Sequence, residues 1–211
     1  MDALILAAGL GSRMEDLTND IPKPLLKINN KTLISYALEI ATKLPLSNIY
    51  VNTHYQADKL NQYLIEEYPH IIISHENLIL GTGGGIKKVQ KQDLLVMNTD
   101  NLWQLSFISE IEKAIAHFSQ NQHIENLLLV NSDSSNNDLE INDKNIIFPS
   151  YKKNTKFQGC HLLRNKSLNE YPEIFDIPLY WKDCSIKQRL FGFETSTKNP
   201  HIGTKELYLQ Y

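Results

Sequence analysis

Short, continuous apolar runs alternate with stretches of helical spacing along the first 130 residues. Leu4 to Leu6, Ile49 to Val51, Ile71 to Ile73, Leu94 to Met97 and Leu127 to Val130 are candidate strands, apolar throughout as strands covered on both faces are. Between them, Leu33 to Leu44 places Ile34, Ala37, Leu38 and Ala41 on one side of a helix. Ala57 to Ile65 repeats the pattern with Leu60 and Leu64, and Ile108 to Phe118 with Ile111, Ile115 and Phe118. That alternation predicts βαβ units, hence an α/β, Rossmann-like, doubly wound and mostly parallel sheet.

After Val130 the pattern changes. Asn131 to Asp143 is rich in the turn formers Ser, Asn and Asp, and two β-like runs follow near Asn145 to Phe148 and Phe157 to Leu163. These are expected to form a small β-rich flap on the open side of the sheet. Gly203 to Leu207 reads as a turn entering a terminal helix, with Thr204 as its N-cap.

At 211 residues, with 42% apolar and 21% charged residues, the chain fits one domain, 1–211, with a substantial core. A net charge of -3 argues against a nucleic-acid surface, so basic side chains must act locally. No apolar run reaches the roughly 20 residues that span a bilayer. Asp2 follows Met1 and no basic leader precedes the first apolar run, so the expected localisation is cytoplasmic. Cys160 and Cys184 are too few for a disulfide scaffold, lack metal-site spacing and read as inert thiols. The seven histidines show no paired-ligand motif.

Candidate chemistry concentrates in Leu4 to Leu26, where a strand runs into a glycine-rich basic turn and a Pro-Lys-Pro clamp. Gly9 and Gly11 can take positive φ and let backbone amides approach an anion. Arg13 offers a planar fork for phosphate oxygens and Lys23 a point charge, with Pro22 and Pro24 limiting the freedom lost on binding. Gly9 to Met14 holds two of the three glycines of the dinucleotide fingerprint, and no P-loop occurs. A plain glycine-rich connector is the alternative. Gly81-Thr82-Gly83-Gly84-Gly85 carries four glycines in five residues, read either as a surface loop or as a backbone wall against a flat ligand, with Ile86 to Val89 beginning a helix behind it. Asp100 stands just past the Leu94 to Met97 run, where open α/β sheets put ligands, although such an Asp is often only a turn residue.

Leu6-Ala7-Ala8-Gly9 through Arg13, Leu17-Thr18 and Pro22-Lys23-Pro24 together resemble the signature of the sugar-1-phosphate nucleotidylyltransferases. Asn77 to Lys88, and Val51 to Tyr55 with Ala57-Asp58, are similar to the N-acetylmuramate-1-phosphate uridylyltransferases and their mannose-1-phosphate guanylyltransferase-like relatives. The resemblance implies an enzyme that moves an NMP group from an NTP, UTP in the first instance, to an N-acetylmuramate 1-phosphate-like sugar. It implies Arg13, Lys23 and Asp100 as catalytic residues, and Ala7, Ala8, Gly9, Gly11, Ser12, Gly83 and Gly84 as further nucleotide contacts. Asn101 and Gly159 would meet the sugar, the latter in the short aromatic-x-Gly step Phe157-Gln158-Gly159. Asp138 would match an Asp near the sugar, without its accompanying glycine. The cofactor would be Mg²⁺ or Mn²⁺ on Asp100 and on the residue of the family's D-x-G-T element, which here reads His201-Ile202-Gly203-Thr204. Glu76 receives no role. Mannose-1-phosphate guanylyltransferase, a more distant phosphocholine cytidylyltransferase and a non-catalytic nucleotide-sugar binder are the alternatives, the last because His201 replaces the second acid. Oligomeric state stays open.

Overall fold

The computed structural model describes residues 1–132 and 136–211, so Asp133, Ser134 and Ser135 of the expected polar loop lie outside the described residues. The strands are β1 (Asp2–Leu6), β2 (Lys27–Ile28), β3 (Lys31–Thr32), β4 (Ile49–Thr53), β5 (Ile72–His75), β6 (Leu94–Asn98), β7 (Asn126–Asn131), β8 (Glu140–Asn142), β9 (Asn145–Ile147), β10 (Lys156–Leu163) and β11 (Leu190–Glu194). The helices are α1 (Leu33–Ala41), α2 (Ala57–Glu67), α3 (Gly81–Val89), α4 (Phe107–Gln120), α5 (Pro178–Ile186) and α6 (Lys205–Tyr208).

Nine strands form one sheet in the order β5-β4-β1-β6-β10-β7-β11-β9-β8, while β2 and β3 make a separate small antiparallel ribbon. β1 lies parallel between β4 and β6, with Ile5 opposite both Val51 and Met97. Successive side chains of these strands go to opposite faces. Ile5, Leu95 and Met97 pack with α1, α2 and α4 on one face, and Leu4, Leu94 and Val96 pack with α3 and α5 on the other. This is the doubly wound α/β arrangement expected. The chain leaves β1 toward β4 and β5, then returns to β6 on the other side of β1, so the carboxyl end of β1 is a topological switch point.

Four features differ from the sequence expectation. The β-rich region is built into the main sheet: β10 runs antiparallel between β6 and β7, and the β8–β9 hairpin extends the edge beyond β11. Helix α3 starts at Gly81, not at Ile86, because the loop 173–176 packs directly onto its glycines. Helix α5 escapes a periodicity search because its buried Tyr180, Trp181 and Cys184 do not form an apolar stripe of the usual width. Strand β11 carries Gly192 at its centre, where a side chain would meet Ile141 and Ile146 at 2.6 and 3.0 Å. The terminal helix matches its expectation, with the Thr204 side chain accepting from the Leu207 amide. Both cysteines are free and buried, as expected of inert thiols.

β10 also carries a buried histidine. His161 is 2% exposed, sits 3.1 Å from Asn126 Nδ2 through its Nδ1, and packs edge-on with the rings of Phe157 and Trp181. Burial pushes its pKa down to about 3. The folded state therefore keeps His161 neutral while the unfolded chain protonates it below its ordinary pKa of 6.5. Its contribution is complete above pH 6.5 and is lost as pH falls toward 3, at about 1.4 kcal/mol per pH unit. Urea unfolding of His161→Gln at pH 6, 5 and 4 is expected to show an acid limb shallower by about that slope.

Candidate active site

At the switch point a cavity of about 420 Å³ opens between the ends of β1, β4 and β6. The turn after β1 forms one wall through Ala7, Ala8, Gly9, Gly11, Ser12 and Arg13. Gly11 has φ +69°, and a Cβ there would sit 3.1 Å from Lys23 Cβ, so glycine both allows the turn and lets Lys23 pass beside it. Gly9 has nothing within 4 Å in the direction of a Cβ. Its face is open for a ligand.

Lys23 enters from the clamp, and its Nζ lies 2.9 Å from Asp100 Oδ2 with the two side chains only 12% and 17% exposed. Arg13 faces the same cavity without an ion-pair partner among the described residues. The carboxylate is positioned by the chain around it. The Thr99 hydroxyl donates to the Leu6 carbonyl at 2.8 Å, tying the end of β6 to the end of β1. The Ile202 amide donates to the Asp100 carbonyl at 2.6 Å, and the Leu102 amide to that of Pro200 at 2.8 Å. Asn101 and His201 thereby form an antiparallel bridge. Lys205 of α6 reaches Glu15 Oε2 at 3.1 Å, which holds the C-terminal segment against the turn that follows Gly11.

A buried polar chain also braces the cavity wall. The Ala7 amide donates to Asn52 Oδ1 at 2.7 Å, Asn52 Nδ2 donates to Glu76 Oε1 at 2.8 Å, and the Leu80 amide donates to Glu76 Oε2 at 3.1 Å. Glu76 is 1% exposed and lines the cavity with Ile79, Gly81, Thr82 and Asp176. Gly83 and Gly84 stand one step back from the lining, with amides donating to the Phe175 carbonyl at 3.0 and 3.1 Å. A Cβ on Gly83 would lie 2.3 Å from the Phe175 ring, and one on Gly84 2.2 Å from the Glu173 carbonyl oxygen. A Cβ on Gly85 would lie 2.8 Å from both Asn52 Nδ2 and Glu76 Oε1.

Residues 2–138 match the family model described as nucleotidyl transferase. The chain belongs to that family. Its relatives include an N-acetylmuramate alpha-1-phosphate uridylyltransferase of Caulobacter vibrioides, 28% identical over 98% of this chain and 93% of the relative. A D-glycero-alpha-D-manno-heptose 1-phosphate guanylyltransferase of Aneurinibacillus thermoaerophilus is 30% identical over 55% of this chain and 53% of that protein. Among solved structures, HddC from Yersinia pseudotuberculosis complexed with GMP-PN superposes with a TM-score of 0.76 at 25% identity, covering 99% of this chain and 96% of HddC. The inositol-1-phosphate CTP transferase from T. maritima shares the fold, with a TM-score of 0.78 at 17% identity over 98% and 90% of the two chains. The family expected from the phosphate turn and the clamp is the family found, and the chain is an enzyme of the sugar-1-phosphate nucleotidyltransferase class.

In this nucleotidyltransferase Asn101 and Gly159 lie against each other, outside the cavity lining. Gly159 has φ +73°, and a Cβ there would be 2.3 Å from Asn101 Oδ1, a buried atom without a hydrogen-bond partner. Asp138 Oδ1 accepts from the Phe157 amide at 2.8 Å, and burial raises its pKa. His201 Nδ1 is 3.6 Å from Asp100 Oδ1. Burial holds the imidazole below its ordinary pKa, the charges of Lys23, Lys156 and Arg13 act in the same sense, and Asp100 opposes them. A neutral ring keeps a lone pair available. Asp100 Oδ1 is buried and accepts no hydrogen bond, which suits a divalent cation that takes one or two protein ligands and completes its shell with phosphate oxygens and water. Asp100 and His201 are the residues that would hold it.

Sequence reasoning passed over Asn52, Thr82 and Asp176 and left Glu76 without a role. Asn52 carried a signal, as a polar residue that follows the apolar run Ile49 to Val51 yet stays buried within β4. Asp176 carried none, because only tertiary folding brings it to Thr82, whose amide it accepts at 3.2 Å.

Proposed function

We propose that this enzyme transfers UMP from UTP to an N-acetylmuramate 1-phosphate-like sugar and releases pyrophosphate, with residues 1–211 acting as one nucleotidyltransferase domain. The reading is supported above all by the convergence of Arg13, Lys23 and Asp100 on one cavity whose wall is the amide-rich turn after β1. The uridylyltransferase relative, aligned over nearly the whole of both chains, supports the choice of base and sugar.

The sugar phosphate is already an anion, so no side chain has to generate a nucleophile. Its oxygen bonds to the α-phosphorus as the bond from that phosphorus to the bridging oxygen breaks, and the electron pair leaves with pyrophosphate. Arg13 and Lys23 stabilise the charge that builds on the departing group, and the turn amides hold the triphosphate in line. Asp100 orients the Lys23 ammonium. A divalent cation, Mg²⁺ or Mn²⁺, would supply charge neutralisation on the phosphate oxygens from Asp100 and His201. The resemblance assigns Asn101 and Gly159 to the sugar, although both lie outside the cavity lining, and Gly81 and Thr82 of the lining are assigned to the base. The assignment implies a cytoplasmic supplier of nucleotide sugar for cell-wall synthesis. Among the described residues no helix is long and apolar enough to cross a membrane.

One observation favours a second reading. Glu76 and Asp176 add two carboxylates to the cavity lining, beside Gly81 and Thr82. The guanine edge offers adjacent N–H donors to such groups, whereas uracil flanks its single N–H with carbonyls. This arrangement favours GTP as the nucleotide, with mannose 1-phosphate as the sugar phosphate that the resemblance pairs with GTP. Pyrophosphate release should be measured for UTP, GTP, CTP and TTP against N-acetylmuramate 1-phosphate, mannose 1-phosphate and glucose 1-phosphate. The highest kcat/KM is expected for UTP with N-acetylmuramate 1-phosphate. Release with GTP alone establishes the second reading. Thermal stabilisation by UTP with no release from any pair identifies a non-catalytic binder.

A further inference from the structure

We infer that Asp100 Oδ1 and His201 Nδ1 form a mixed carboxylate–imidazole seat that selects a first-row transition-metal dication over Mg²⁺, an inference that rests on the triphosphate-binding reading of this cavity. The separation of 3.6 Å is too long for a hydrogen bond. It is close to the distance between two ligands of one ion, since bonds of about 2.1 Å put neighbouring ligand atoms about 3.0 Å apart in an octahedral shell and about 3.4 Å apart in a tetrahedral one. Asp100 divides its work between its two oxygens. Oδ2 is taken by Lys23 at 2.9 Å, while Oδ1 is buried and accepts no hydrogen bond.

The imidazole is held in place for this role from two sides. The antiparallel bridge between Asn101 and His201 fixes the backbone. On the far edge of the ring, Gly203 leaves room for Nε2, which a Cβ at that position would approach to 2.3 Å. Nδ1 is thus the nitrogen turned to the carboxylate, and any larger residue at position 203 would push the ring off that line. Among the described residues no third His, Cys, Asp or Glu joins the pair. A two-ligand seat of this kind leaves most of the shell to phosphate oxygens and water. One imidazole in it changes the preference: Mg²⁺ demands oxygen, whereas affinity for a nitrogen ligand rises along the transition series from Mn²⁺ to Co²⁺.

The test reads the metal directly. Mn²⁺ is added to the full-length protein, with and without UTP, and the bound ion is examined by electron spin echo envelope modulation for ¹⁴N coupling from a ligated imidazole. Competition of Mg²⁺ and Co²⁺ for the Mn²⁺ site gives relative affinities. The expected result is a directly ligated ¹⁴N signal in the wild type that is absent from His201→Asp. That variant should also lower the Mn²⁺-over-Mg²⁺ affinity ratio by about tenfold or more. Asp100→Asn should weaken Mn²⁺ while leaving the secondary-structure spectrum unchanged. Bound Mn²⁺ without ¹⁴N coupling, no Mn²⁺ bound in either condition, or an affinity ratio equal in wild type and His201→Asp overturns the inference. Pyrophosphate release, measured separately, distinguishes this outcome from a failure of the nucleotidyltransferase reading. Release without nitrogen coupling removes only the seat, and nitrogen coupling without release removes only the proposed reaction.

Discussion

Lys23→Ala is expected to lower kcat by a factor of about 10² to 10³, equivalent to roughly 2.7–4 kcal/mol of transition-state stabilisation. The ammonium is held 2.9 Å from Asp100 Oδ2 at the mouth of β1, between two prolines that restrict the backbone on either side. It meets charge that develops as pyrophosphate departs, so its loss should appear in kcat more than in KM. Stability should fall as well, because the pair is only 12% and 17% exposed and the variant leaves the Asp100 carboxylate without its ammonium partner. Steady-state kinetics together with urea unfolding separates the two effects. Turnover that survives the substitution undiminished would remove the proposed role. Lys23→Arg should recover only part of the rate, since a planar guanidinium does not reproduce a compact point charge.

Gly84→Ala is expected to destabilise the fold by about 1–3 kcal/mol, the usual cost of overpacking. Intrinsic propensity argues the opposite, because alanine in place of glycine inside a helix is favourable by roughly 0.8–1.0 kcal/mol. Sterics decide the sign. The new Cβ would lie 2.2 Å from the Glu173 carbonyl oxygen, a backbone atom that has little freedom to retreat. Its loop is fixed by the Phe175 amide on Leu80 at 3.0 Å and by the Gly83 and Gly84 amides on the Phe175 carbonyl. For a chain of this length the melting temperature should fall about 2–4 °C for each kcal/mol lost. The same distortion shifts Gly81 and Thr82 at the cavity, so KM for the nucleotide should rise. Gly9→Ala provides the contrast: nothing lies within 4 Å of its new Cβ, so that variant should melt near the wild type.

These expectations show where the chain announces its structure and where it does not. The parallel strands were legible because strands buried on both faces leave continuous apolar runs: Leu94 to Met97 became β6 short of one residue, and Leu4 to Leu6 the last three residues of β1. The phosphate turn and the clamp were legible because local chemistry demands them, from Gly11 at positive φ to Lys23 between prolines. The glycine run at 81–85 was visible, but its cause was not. A ligand seemed sufficient reason for four missing side chains, whereas the Glu173 carbonyl, the Phe175 ring and the Asn52–Glu76 pair supply that reason within the protein. Nor could local pattern foresee that β10 enters the sheet between β6 and β7, since antiparallel insertion is decided by pairing partners distant in sequence. His201 was noticed as a departure from a motif. Its distance to Asp100 and the space that Gly203 leaves for it exist only in three dimensions.

The contact between the glycine helix and the loop 173–176 has a bearing on protein engineering. The family match ends at residue 138, yet Gly81, Gly83 and Gly84 in the first half of the chain pack against the loop 173–176, some ninety residues downstream. A chimera that joined this N-terminal half to the C-terminal third of a relative would leave α3 short of both its packing partner and its hydrogen-bond acceptor. Grafts that exchange sugar preference should therefore carry residues 81–85 and 173–177 together, as one inherited cassette.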